Sequence, residues 1–134
     1  MKSLHDKVFD NGLDYVKTNC NKLVVCKAPP TTFDEANNLD TGGPAGYKVA
    51  EVAMASGDFT IQDKTGGGRE IVAAAKPGIS PLDDSLTTDD HHFAYLNTTL
   101  SELLWVTDET TDPEILLTDT VSFPSLKVGL PDPV

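Results

Sequence analysis

Turn chemistry sets the limits of this chain. From Tyr47 onward, short apolar runs are cut by Gly57-Asp58, Gly66-Gly67-Gly68, Pro77-Gly78, Pro81, Asn97 and Asp112-Pro113. Glycine and proline interrupt helices and strand interiors alike, so no element between these breaks can be long. Ten Gly and nine Pro among 134 residues rule out a long helical bundle or coiled coil. The runs between the breaks, 47–54, 59–61, 69–73, 92–96, 102–107, 115–117 and 121–130, are rich in β-branched and aromatic residues. About six to eight short strands at such spacing predict a mainly β fold, a small antiparallel sandwich or barrel.

Two helices are expected ahead of this β-rich body, which spans 47–134. Residues 1–20 read as an N-terminal helix, with Ser3 as cap and Leu4, Val8, Leu13 and Val16 forming an apolar stripe that packs on a sheet. Residues 22–46 read as a strand, Lys22 to Cys26, and an ordered loop holding one short helix. That helix is announced by Thr32 and Glu35, a capping box, and Thr41-Gly42-Gly43-Pro44 closes the excursion. Within 92–96, His92, Ala94 and Leu96 share one strand face, and Phe93 and Tyr95 the other. The sequence shows no internal repeat and no linker between two cores, so 1–134 is expected to be one domain.

Charge narrows function. Ten Lys and Arg against 21 Asp and Glu give a net charge of −11, which argues against gripping nucleic acid. Residues 1–27 carry Lys2, Lys7, Lys17, Lys22 and Lys27 against three Asp, whereas 77–126 contain acids and neither Lys nor Arg. No apolar run approaches the roughly 18–20 residues of a membrane span, and nothing at the N-terminus marks the chain for export. Cys20 and Cys26 read as free thiols in a reducing compartment.

No enzyme signature emerges. Asp89-Asp90-His91-His92 has the residue types of a metal site, but adjacent histidines on a strand face opposite ways, and no metal is expected there. Gly66-Gly67-Gly68-Arg69 lacks the closing Lys and following helix of a phosphate loop. Asp83-Asp84, Asp108-Glu109 and Asp112 lack EF-hand spacing for Ca²⁺. There is no Gly-x-Ser-x-Gly elbow, and neither cysteine sits in a nucleophile motif. No catalytic residue and no cofactor is expected. Trp105, Phe93 and Tyr95 read as core more readily than as a sugar platform.

As a set, several short motifs form a familiar order. Asp10-Asn11-Gly12-Leu13 lies in the opening helix, followed by a strand ending at Cys26 and by Pro30-Thr31-Thr32-Phe33-Asp34-Glu35-Ala36. Gly68-Arg69-Glu70 then leads into Val72-Ala73-Ala74, His92-Phe93-Ala94-Tyr95-Leu96 follows, and the chain closes near Pro131-Asp132-Pro133. This order resembles a family of small structural proteins of tailed double-stranded DNA bacteriophages; the glycine triplet and the acidic third quarter depart from it. The resemblance implies a virion component. Together with the charge, it points to a capsid cement, or decoration, protein on the outer surface of the major capsid protein shell, present in the host cytoplasm during assembly. The five lysines are the candidates for facing the shell. Arg69, Tyr95 and Trp105 are the candidates for self-association, with a trimer suggested by analogy with icosahedral lattices. A head–tail connector, tail terminator or other neck or tail protein is the alternative. A carbohydrate-binding module using Trp105 and the acidic loops is a second, and a small hydrolase a third.

Overall fold

The computed structural model describes residues 6–40 and 46–131. In chain order the elements are helix α1 (Asp6–Asn19), strand β1 (Lys22–Cys26), helix α2 (Phe33–Asn37) and strand β2 (Lys48–Ala53). A single 3-10 turn, Ser56–Asp58, leads to β3 (Phe59–Asp63), β4 (Arg69–Ala73) and β5 (Lys76–Ile79). The chain then forms β6 (His92–Asn97), β7 (Glu102–Asp108), β8 (Val121–Phe123) and β9 (Leu126–Leu130). These strands make three antiparallel sheets, ordered β2-β1-β6-β7, β3-β4-β9 and β5-β8. The mainly β expectation holds, but the barrel alternative does not: the strands divide among separate sheets and do not close.

The largest sheet is apolar on both faces, which explains why β1 and β6 read as unbroken apolar runs rather than alternating ones. Leu23 and Val25 of β1, with Phe93 and Tyr95 of β6, face the main core. There they meet Leu13 and Val16 of α1, Phe59, Ile71, Phe123 and Val128. Val24, Cys26, Ala94 and Leu96 face the opposite way, under Ala36, Phe33 and Tyr47 from the α2 region. The expected division of β6 between two faces is therefore observed.

Local chemistry sets the helices. Thr32 and Glu35 form the capping box of α2: the Glu35 amide donates to Thr32 Oγ1 at 3.2 Å, and the Thr32 amide donates to Glu35 Oε2 at 3.3 Å. The chain returns to β2 through Gly46, where a Cβ would overlap the Asn38 carbonyl. Leu13 and Val16 bury the α1 stripe as expected; Ser3, Leu4 and the side chain of Val8 lie outside what the structure describes, as does the 41–44 turn. Arg69 fixes α1 to the β3–β4 hairpin. Its Nε donates to Asp10 Oδ1 and its Nη1 to Asp63 Oδ1, each at 2.7 Å. No described helix is long and apolar enough to cross a membrane.

Candidate interaction surface

Two turns built alike project from one end of the fold. In the first, Asp89 Oδ2 accepts the Leu86 amide at 2.7 Å, and the Asp89 amide donates to the Leu86 carbonyl at 3.1 Å. In the second, Asp119 and Leu116 repeat both bonds at 2.8 Å. Aspartate favours such turns because its short side chain reaches a nearby backbone amide. Each turn leads into a strand, and the phenylalanine four residues after each aspartate, Phe93 in β6 and Phe123 in β8, packs on the other with ring centroids 6.0 Å apart. Ser85 pairs with its counterpart Ile115 in an antiparallel bridge. Equivalent residues facing each other across an antiparallel bridge are the mark of a local two-fold, so Leu86-x-Thr88-Asp89-x-x-x-Phe93 and Leu116-x-Thr118-Asp119-x-x-x-Phe123 are a structural repeat.

Beneath the turns lies a polar brace. His91 is fully buried, with Nε2 2.8 Å from Ser85 Oγ, and the Ile115 amide donates to the same oxygen at 3.2 Å. Asp112, in the left-handed region at φ 41°, accepts the His91 amide at 2.8 Å. Its Oδ1 also lies 3.5 Å from His91 Nδ1, which makes no hydrogen bond among the described residues. A carboxylate there favours the tautomer with the proton on Nδ1, leaving Nε2 to accept from the serine hydroxyl. Ser, His and Asp thus stand in the order of a hydrolytic triad, which no sequence motif signals. Ser85 is 1% exposed, and its oxygen already accepts the Ile115 amide. The cluster ties the two turns together.

The outside of this end is apolar with an acidic rim. Leu82, Leu86, Leu116 and Leu117 are 41–58% exposed and account for most of the large exposed apolar side chains among the described residues. A cavity of about 210 Å³ borders the brace, lined by Val25, His91, Phe93, Glu109, Ile115 and Val121 among others. The acids once considered for Ca²⁺ serve the loops instead. Asp84 Oδ1 accepts the Leu117 amide at 2.7 Å, Asp83 pairs with Lys27 at 3.3 Å, and Glu109 accepts from Thr111 and Asp112.

The residues singled out from sequence lie elsewhere and are engaged within the chain. Lys2 and the side chain of Lys7 lie outside the described structure. Lys17 Nζ donates to the Phe59 carbonyl at 3.1 Å. Lys22 contacts Glu51 at 3.0 Å and Asn37 at 3.1 Å. Lys27 lies between Asp40 and Asp83; burial works against its charge, but hydrogen bonds to both carboxylates outweigh that and raise its pKa. These three side chains hold the fold and form no free cationic face. Arg69 is likewise occupied by Asp10 and Asp63. Tyr95 is 1% exposed, with its ring against Phe59, so its offered role in self-association is corrected to a core role. Trp105 is half-buried against the same core. Of the Asp-Asp-His-His motif, His91 joins the brace, whereas Asp90 and His92 meet Asp108 across the β6–β7 ladder. In comparison with known proteins, no family model, curated protein or solved structure matches the chain.

Proposed function

We propose that this chain is a bacteriophage virion structural protein, a capsid cement protein that attaches to the outer surface of the major capsid protein shell and stabilises the mature head. One observation carries the reading: Leu86, Leu116 and Leu117, about half exposed, stand on two like turns joined over a buried polar brace, with half-exposed Leu82 four residues before the first turn. Exposed apolar side chains grouped on one face, with a polar rim, mark protein contact surfaces. Each leucine is already about half covered, so complete burial of the four supplies roughly 3–6 kcal/mol. Association costs about 4–15 kcal/mol. The leucines alone therefore do not hold a partner, and the acidic rim has to add complementary charge. It selects a partner with Lys or Arg around an apolar spot, and it suits a position facing away from packaged DNA. The leucine turns replace the lysines as the shell-facing element of this proposal. Binding the mature lattice in preference to its precursor stabilises the former by mass action.

The test is occupancy on purified particles. Leu86→Asp with Leu117→Asp is expected to abolish attachment while circular dichroism and melting temperature stay near the parent values. Undiminished occupancy of the doubly substituted protein refutes the assignment of this surface. Gel densitometry of parent particles is expected to give a copy number close to that of the capsid subunit. A few copies per particle would move the protein to the neck or tail.

A further inference from the structure

We propose that Asp90, His92 and Asp108 form a binding site for a divalent transition-metal cation of the zinc type. The cross-strand register places His92 opposite Asp108, and the turn into β6 brings Asp90 alongside. One ring nitrogen and one oxygen from each carboxylate lie within 4.8 Å of one another. Metal–ligand bonds of about 2.0–2.2 Å require ligand atoms about 3–4 Å apart. Closing the remaining gap needs only small rotations of Asp90 and Asp108, whose side chains are 62% and 58% exposed. His92, only 15% exposed, is the fixed member: its Nδ1 lies 3.0 Å from the Asp90 carbonyl.

Two further observations separate this trio from an ordinary acidic surface. Asp83, Asp84, Asp89, Asp112 and Asp119 all accept backbone amides in the neighbouring turns. The side chains of Asp90 and Asp108 accept no hydrogen bond among the described residues, and their ionic neighbour is His92 itself. In addition, no Lys or Arg nitrogen among the described residues comes within 4.0 Å of either carboxylate. Asp90 Oδ1 lies 3.7 Å from Nδ1 of His92 and Asp108 Oδ1 4.0 Å from Nε2. With Nδ1 held by the Asp90 carbonyl, Nε2 is the nitrogen offered to a metal, beside Asp108, and Asp90 completes the set by turning toward it. The imidazole favours zinc-type ions over Ca²⁺ and Mg²⁺, which take oxygen ligands. Three protein ligands leave at least one coordination position for water or a partner's side chain. The site is independent of the proposed attachment to a shell.

Isothermal titration of the untagged full-length protein with Zn²⁺ tests the site, and Co²⁺ absorption reports the ligand type. One saturable site per chain is expected, with affinity reduced at least about tenfold by His92→Gln and by Asp108→Asn. The Co²⁺ spectrum should lose its nitrogen-ligand signature in His92→Gln, and Ca²⁺ should not compete at equal concentration. Absence of saturable Zn²⁺ binding overturns the proposal, as does equal affinity in the parent and both variants. Asp90→Asn, at a side chain 62% exposed, gives a third variant whose folding is not at risk; unchanged Zn²⁺ affinity there overturns the three-residue site.

Discussion

Replacing Ser85 by alanine strikes the brace at its centre. The hydroxyl serves two buried groups, His91 Nε2 at 2.8 Å and the Ile115 amide at 3.2 Å. The amide retains the Ser85 carbonyl at 3.3 Å. His91 has no substitute: Nδ1 already lacks a hydrogen bond, so the variant leaves a fully buried ring with both nitrogens unpaired. A buried polar group stripped of its partner costs about 1–3 kcal/mol. With the weakened bridge added, Ser85→Ala is expected to destabilise by about 2–3 kcal/mol. At about 2.1 cal/mol/K per residue, unfolding entropy for this length is roughly 0.28 kcal/mol/K, so Tm should fall by about 7–10 °C. Urea and thermal unfolding give the values, with the exposed Ser122→Ala as control, expected within about 0.5 kcal/mol of the parent. Ser85→Ala combined with His91→Phe should cost less than the sum of the single changes, because both polar partners are then gone. A loss below about 0.5 kcal/mol for Ser85→Ala, or strict additivity, refutes the brace. Ester hydrolysis by the parent that disappears in Ser85→Ala would show instead that the trio does chemistry.

Other consequences can be measured separately. Burial pushes the Cys20 thiol up to about 11 and the Cys26 thiol up to about 12. Native protein at pH 8 should therefore resist alkylation, and both thiols should react once urea unfolds it; rapid native labelling contradicts their burial. The Lys76 hydrogen bond holds Asp58 below its ordinary 3.8. For Glu51, burial alone would raise the pKa, but hydrogen bonds from Lys48 and Lys22 bring it below 4.5. Depressed carboxylate values stabilise the fold above the ordinary pKa and lose that contribution as pH falls beneath it. Unfolding free energy should accordingly drop with acidification below about pH 4.5, and a flat profile there contradicts both ion pairs. Lys22→Glu places a second carboxylate beside Glu51 and should lower Tm; an unchanged Tm would return Lys22 to the list of free surface cations. Arg69→Lys loses the forked contact with Asp10 and Asp63, so amide exchange should accelerate in α1 before the β1–β6 ladder responds.

What could be read from sequence was local, and what escaped depended on distant partners. The Thr32–Glu35 box lies within one turn, so side-chain chemistry alone announced α2. The split of β6 into two faces followed from strand geometry, and the helical spacing of Leu13 and Val16 from their burial. For Lys17, Lys22 and Lys27 the charge sum over residues 1–27 left out Glu51, Asp83 and the Phe59 carbonyl, which reach them from other elements. Tyr95 was legible as a core residue on the correct strand face, and its ring packs there against Phe59; its candidacy for self-association came from the resemblance. The duplicated turn was hidden because its first copy resembles an acidic loop and its second a strand. Only Leu, Thr, Asp and Phe keep register between them, and the Ser85–Ile115 bridge makes the relation visible. The same applies to Asp108, which joins Asp90 and His92 through register rather than proximity in the chain.

Duplication has a kinetic side. In the proposed attachment, two like prongs on one mount would grip as a staple does, since detachment would require both legs to lift before either settles back. Dwell time then grows far more than the strength of one leg suggests, and blunting a single prong shortens it sharply without distorting the mount. On that proposal, a small chain would obtain a lasting hold by using one loop design twice.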